Sequence, residues 1–217
     1  SQIGEKQFDP IEPGTVWGSG FDCAWFEFEG EVPKYAKGKK VVALIDVDGE
    51  GLVYLDGAPV VGITHKQDSL DWIAPAPGKQ QVDLFDCAAG GEKVRILVDC
   101  GFNGNRGADR KAKFRKAVLA VRDDDAAGMF YDFLQLFSLL LTAGKNQALT
   151  RRREDEIDNV LYEARAQYRK GDIAMARKLL GAAAASPASA DAGEYTAIGH
   201  AHIDLGWLWP IRETKRK

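Results

Sequence analysis

The chain has 217 residues, 45% of them hydrophobic and 28% charged, with a formal net charge of -3 at pH 7. That length supports one good core or two modest ones, and the composition excludes a disordered or collagen-like chain. No basic stripe stands out from the 29 Lys and Arg, so nucleic acid is not a partner, and the most apolar segment, Met129 to Ala143, is broken by Asp132 and Gln135 and too short to cross a bilayer of about 30 Å. From about residue 20 to 122, short β-rich runs alternate with turn residues, the pattern of an antiparallel sandwich. The predicted strands are Cys23 to Phe28, Lys40 to Asp46, Leu52 to Leu55, Pro59 to Ile63, Leu70 to Ile73, Gln81 to Phe85, Lys93 to Asp99 and Ala117 to Arg122. Asp56-Gly57 between two of them is a hairpin turn, because both residue types tolerate positive φ. Val94, Ile96 and Val98 alternate with Lys93, Arg95 and Leu97, so one face of that strand is buried and the other only partly so.

From about Asp125 the period changes. Phe130, Phe133, Leu134, Phe137, Leu140 and Leu141 recur at three- and four-residue spacing and share a helix face. A second helix starts at Thr150 as N-cap, runs through Ile157, Val160, Leu161, Ala164 and Tyr168, and stops near Gly171. Asp172 caps a third, with Ile173, Ala176, Leu179, Leu180 and Ala183 as its apolar stripe, so residues 150–184 read as an antiparallel helical hairpin. The run Arg151-Arg152-Arg153 is offset by Glu154, Asp155 and Glu156 and reads as a solvated helix face. Ala182 to Ala192 has small side chains and little to bury, the composition of a linker. Tyr195 to Gly199 is then a short β run, and Pro210 to Lys217 the first turns of a helix. One strand and a partial helix have no partner for their apolar faces, so this last stretch reads as the start of a further domain. The expected class is mainly β plus α: a jelly-roll-like antiparallel β-sandwich over 1–122, a helical region over 123–185, and, over 186–217, a linker with the first strand of a truncated α/β barrel.

The chemistry lies after that last strand. His200, His202 and Asp204 stand at every second position, so a chain still extended past Gly199 projects all three to one side. Neutral imidazole and carboxylate are the donors that Zn²⁺ accepts, and a strand's carboxyl end is where α/β barrels build their sites. Spacing alone leaves a local hydrogen-bond network equally open, since short His-x-His matches occur by chance. Trp207 and Trp209 tilt the balance, because flat apolar faces beside ligands are what a sugar's C–H surface stacks on. Trp209, just before Pro210, reads as core and Trp207 as part of the site. Asp46, Asp48 and Glu50 also alternate, but a calcium loop needs an acid at its twelfth position, where Gly57 stands, so the expectation is a turn with solvated carboxylates. His65 is placed at a hairpin end or in solvent and receives no role.

The segment Ala197-Ile198-Gly199-His200-Ala201-His202-Ile203-Asp204, with Trp207-Leu208-Trp209-Pro210-Ile211-Arg212-Glu213-Thr214, resembles the first catalytic motif of class II α-mannosidases, glycoside hydrolase family 38. Upstream, Trp25-Phe26, Asp48-Gly49-Glu50-Gly51-Leu52-Val53-Tyr54, Asp56-Gly57 and Gly62 are similar to the accessory β domain of that family's cytosolic and bacterial branch. The resemblance implies that His202 and Asp204 bind zinc, with cobalt as an alternative, and that Trp207 packs under bound mannose. His200 matches the motif without being a family ligand and is expected to orient its neighbours. It implies a retaining mechanism in which an Asp attacks the anomeric carbon and a second carboxyl alternates between acid and base. The nucleophile and the remaining ligands lie downstream of the motif in that family, so no catalytic residue is assigned in this chain, and the chain alone is expected to be inactive and metal-free. The implied partners are mannose-containing oligosaccharides, with homo-oligomer formation left open.

Three cysteines, Cys23, Cys87 and Cys100, are odd in number and lie in or beside strands, where buried free thiols are commoner than bridges. Ser1 to Lys6 lacks a basic stretch followed by an apolar one, and together these favour the cytoplasm. Two rival readings remain at this level. Residues 1–122 could be a free-standing carbohydrate-binding or interaction module, though no single exposed strand face carries a cluster of aromatics. An amidohydrolase-like metal hydrolase also ends its first barrel strand in His-x-His, but both histidines then bind metal and no Trp-Leu-Trp-Pro follows.

Overall fold

The computed structural model describes residues 7–65, 78–102, 110–146, 150–187, 196–200, 202–206 and 211–214. Among them, nine strands and four α-helices follow in order: β1 (Val16–Gly18), β2 (Cys23–Glu31), β3 (Val41–Asp46), β4 (Glu50–Leu55), β5 (Ala58–Thr64), β6 (Gln81–Phe85), β7 (Lys93–Gly101), β8 (Ala112–Lys113), β9 (Lys116–Val121), α1 (Asp124–Asn146), α2 (Arg151–Arg169), α3 (Ile173–Ala184) and α4 (Ile211–Thr214). The chain divides into two compact units, one carrying the strands and the segment from His202 onward, the other carrying α1 to α3.

Every strand pairing in the first unit is antiparallel. A four-stranded sheet has the order β2-β7-β4-β5, a three-stranded sheet the order β6-β3-β9, and β1 pairs with β8. Alternation decides the inner faces. Phe26, Val53, Val94, Ile96, Val98 and Cys100 from the larger sheet join Val41, Ala43, Ile45 and Val82 from the smaller one in a single core. Such side chains contribute roughly 1.5–3 kcal/mol each when fully buried, so this core holds the two sheets together. Trp17 on β1 covers one end of it: its indole meets the Phe26 ring edge-on at 5.3 Å and its Nε1 donates to the Val47 carbonyl at 2.7 Å.

The hairpin at Asp56-Gly57 forms as the sequence predicts. Both residues have positive φ, 51° and 79°, which gives the chain reversal the twist that β4 and β5 require. A register irregularity follows between Val53 and Tyr54, where Tyr54 stands opposite Pro59. Glycines set how closely β4 approaches β7. A Cβ on Gly49 would lie 2.7 Å from both Cys100 Sγ and Gly101 O, and one on Gly51 would lie 2.8 Å from Val98 Cγ1. At Gly49 the obstacle is β7 backbone, so a larger residue there displaces the strand, whereas at Gly51 the Val98 and Ile63 side chains must give way.

The second unit has its own core of Leu136, Ile157, Leu161, Ala164, Ala176 and Leu180, against which Met129, Phe133, Phe137 and Leu140 pack. Both predicted caps form: Thr150 accepts from the Arg153 N–H and Asp172 from the Met175 N–H. Gly171, with φ 82°, makes the turn between α2 and α3. Arg151 and Arg152 are solvated as expected, but Arg153 turns in and donates through Nη2 to the Ala183 carbonyl at 3.0 Å.

Several expectations are corrected. β1 and β8 were not foreseen, because segments of three and two residues are too short to display a period. Residues 182–184, where the expected hairpin and linker overlap, belong to α3, as the hairpin reading has it and consistent with the high helix propensity of alanine. Residues 196–200 form no strand and are exposed, because an isolated strand has no partner for its backbone groups. Of the three thiols, none in a disulfide, only Cys100 is buried, while Cys23 and Cys87 are exposed. The strand predicted at Leu70 to Ile73 lies outside the described residues.

Candidate functional site

His202 and Asp204 face each other at the surface. His202 Nε2 lies 3.3 Å from Asp204 Oδ1, with the two side chains 71% and 48% exposed. The loop that carries them is closed by α4: the Thr214 hydroxyl lies 2.9 Å from the Leu205 carbonyl oxygen and 3.2 Å from that of Asp204. His200 is exposed, and Trp207 lies outside the described residues. Two donors each about 2.1 Å from one tetrahedral ion stand about 3.4 Å apart. The observed 3.3 Å separation is within hydrogen-bond reach and is also compatible with a nitrogen and an oxygen that share a metal ion. Among the described residues no third ligating side chain joins the pair.

A second polar constellation, at the end of β3, contradicts the expectation of solvated carboxylates. Asp46 and Asp48 are only 6% and 2% exposed. His65, expected to be peripheral, lies between them: Nδ1 is 2.8 Å from Asp46 Oδ2 and Nε2 is 3.6 Å from Asp48 Oδ1. Gln80 Nε2 donates to Asp46 Oδ2 at 2.9 Å and to the His65 carbonyl at 3.2 Å. Asp48 receives Arg110 on one oxygen, and the Arg115 guanidinium and the Lys113 N–H on the other, both at 3.2 Å. Asp48 adopts φ 58°, and its own N–H donates to Asp46 Oδ1 at 3.0 Å.

Buried carboxylates require such partners, because an unpaired charge in the interior costs several kcal/mol. Here each carboxylate oxygen has a donor, so the cluster presents no vacant ligand position of the kind a cation requires. It joins the ends of β3 and β5 to Gln80 and to the segment around β8 and β9. Apart from the Asp48 N–H on Asp46, its partners are 15 to 67 residues apart in sequence, and no local motif announces them.

Two antiparallel sheets closed over one apolar core define a β domain of the jelly-roll class. A family model described as "Alpha-mannosidase, jelly roll domain" matches residues 1–130, and the chain belongs to that family. It is 26% identical over 231 residues to Alpha-mannosidase 2C1 of Mus musculus and 27% identical over 235 residues to Alpha-mannosidase 2C1 of Homo sapiens, in each case over 98% of this chain and 21% of the relative. Alpha-mannosidase G of Dictyostelium discoideum is 25% identical over 230 residues, 98% of this chain and 20% of that protein. The chain thus spans about a fifth of the length of these relatives. No helix among the described residues is long and apolar enough to cross a membrane.

Proposed function

We propose that this chain is the amino-terminal part of a cytoplasmic α-mannosidase that removes terminal α-linked mannose from oligosaccharides with retention of configuration. The observation that carries the reading is the 3.3 Å approach of His202 Nε2 to Asp204 Oδ1 in a chain whose first 130 residues belong to the α-mannosidase jelly-roll family. His202 as neutral imidazole and Asp204 as carboxylate hold a zinc ion, or cobalt in its place, together with ligands from a longer polypeptide. When bound, the ion supplies Lewis-acid charge stabilisation at the sugar hydroxyls. Trp207 offers a flat apolar face to the C–H side of the mannose ring, and His200 orients the neighbouring ligands. In the complete enzyme, residues 196–199 gain the strand partners they lack here and aim His202 and Asp204 at the sugar.

Because half of the ligand set and the nucleophile lie elsewhere, the 217-residue chain alone is expected neither to retain zinc through gel filtration nor to hydrolyse p-nitrophenyl α-mannoside. Turnover by the purified fragment would overturn that expectation. In the longer enzyme, His202→Ala and Asp204→Ala are expected to lose both stoichiometric metal, read by elemental analysis, and activity. His200→Ala is expected to keep its metal. Stoichiometric loss of zinc on His200→Ala would instead support the amidohydrolase-like arrangement, in which both histidines are ligands.

A further inference from the structure

The residues that carry the upstream resemblance do not all serve the core. Phe26, Val53 and Val98 point inward and are 5%, 0% and 0% exposed, so their neighbours in β2, β4 and β7 lie on the outer face of the four-stranded sheet. The register sets those neighbours in rows across three strands. Trp25, Asp99 and Leu52 stand opposite one another in one row, and Glu27, Leu97 and Tyr54 in the next. The Trp25 and Tyr54 rings meet diagonally across β7 with centroids 5.5 Å apart and planes tilted by 40°, which makes a shallow aromatic trough. On β5, Gly62 stands opposite Leu52, and a Cβ there would meet nothing closer than 3.9 Å, so the trough opens toward that edge.

The rim is polar. Arg95 Nε donates to Glu27 Oε1 at 2.5 Å and lies 3.9 Å from Glu29, and the Arg95 side chain is 53% exposed. Two aromatic faces beside carboxylates and a guanidinium match the two sides of a pyranose. Its C–H face stacks on the rings, and its hydroxyls donate to Glu27 and Asp99 and accept from Arg95. A protein face pressed on the same patch would desolvate the Arg95–Glu27 pair, whereas sugar hydroxyls keep it hydrogen-bonded. We propose that this outer sheet face, centred on Trp25 and Tyr54, is a metal-independent binding platform for neutral oligosaccharides. The choice of α-mannosyl chains as the occupant rests on the function proposed above; the stacking does not.

The test uses the 217-residue chain in EDTA, so neither zinc nor catalysis enters. Electrophoresis through gels containing yeast α-mannan is expected to retard it, and titration with an α-mannooligosaccharide is expected to quench tryptophan fluorescence. Trp25→Ala and Tyr54→Ala are each expected to lower the association constant about tenfold, and Trp25→Tyr to restore part of it. Thermal melts identify any variant that fails to fold. Retardation by laminarin or cellohexaose but not by mannan, lost on Trp25→Ala, would support the platform and count against the mannoside reading. No retardation by any of these glycans, or retardation unchanged in both alanine variants, would overturn the platform. So would an effect of the variants confined to the self-association state in light scattering, which would make the face a contact between copies.

Discussion

His65 Nδ1 lies 2.8 Å from Asp46 Oδ2, a bond that joins residues 19 apart and locks the end of β5 to the end of β3. Asp48, two residues on, completes the arrangement with Arg110 and Arg115. Asp48→Asn keeps the size and the tolerance of left-handed backbone but loses the charge, and is expected to destabilise the β unit by about 1.5–3 kcal/mol. Asp48→Ala adds backbone strain at φ 58° and is expected to exceed that. Urea unfolding followed by tryptophan fluorescence reads both. Wild-type stability in the two variants would show that the cluster contributes nothing net.

The glycines of the Asp48-Gly49-Glu50-Gly51 run serve close packing. Gly49→Ala places its methyl 2.7 Å from the Gly101 carbonyl, which is backbone and cannot turn aside. A loss of about 1–3 kcal/mol is expected, in the range of overpacked cores. Gly62→Ala, on the open outer face, is the control and is expected to lose little beyond the effect of its new side chain on sugar binding. Equal melting temperatures for the Gly49 variant and wild type would refute the packing account.

Thiol reactivity separates the cysteines. Cys23 and Cys87 are exposed and outside any disulfide, while Cys100 is buried against β4. Two thiols per chain are expected to react promptly with a disulfide reagent such as DTNB at pH 8, and the third only after denaturant is added. Three fast thiols in the folded protein would place Cys100 at the surface.

Acid is expected to weaken both units. Hydrogen bonds from Arg152 and then Arg153 hold the Glu156 carboxyl below its ordinary value of 4.5. The Ala89 N–H, followed by the backbone N–H groups of Glu92 itself and of Gly90, does the same for Glu92. A carboxyl whose folded pKa is depressed contributes stability above its unfolded value, and that contribution disappears as pH falls from about 4.5 through the folded pKa. Melting temperature is therefore expected to fall below about pH 4.5. Glu156→Gln and Glu92→Gln should each flatten that acid limb, and an unchanged limb in both would exclude these groups as its cause.

What could be read in advance was local. The Asp56-Gly57 hairpin, the Thr150 and Asp172 caps and the alternation of β7 each depend on residues within a few positions of one another, so their signals survive in the bare order of residues. What escaped was set by pairing over distance. Asp48 meets Arg115 across 67 residues, and Trp25 meets Tyr54 only because β7 lies between their strands. No single strand shows an aromatic cluster, and the pair exists only once register is known. The His202–Asp204 pair was legible from its alternate spacing, whereas the hydroxyl of Thr214 that closes its loop lies ten residues beyond Asp204 and was not.

Pro59 has a further consequence. It lies near the start of β5, which is an outer strand of its sheet among the described residues, beside the register irregularity at Val53 and Tyr54. A proline has no N–H to offer an incoming chain, and the irregularity twists the strand away from flatness. A stranger's strand laid alongside would find its hydrogen-bond ladder broken near the first rung. The border of this sheet therefore carries its own guard against fibril-like growth, even though Val60 next to it leaves an apolar side chain 49% exposed.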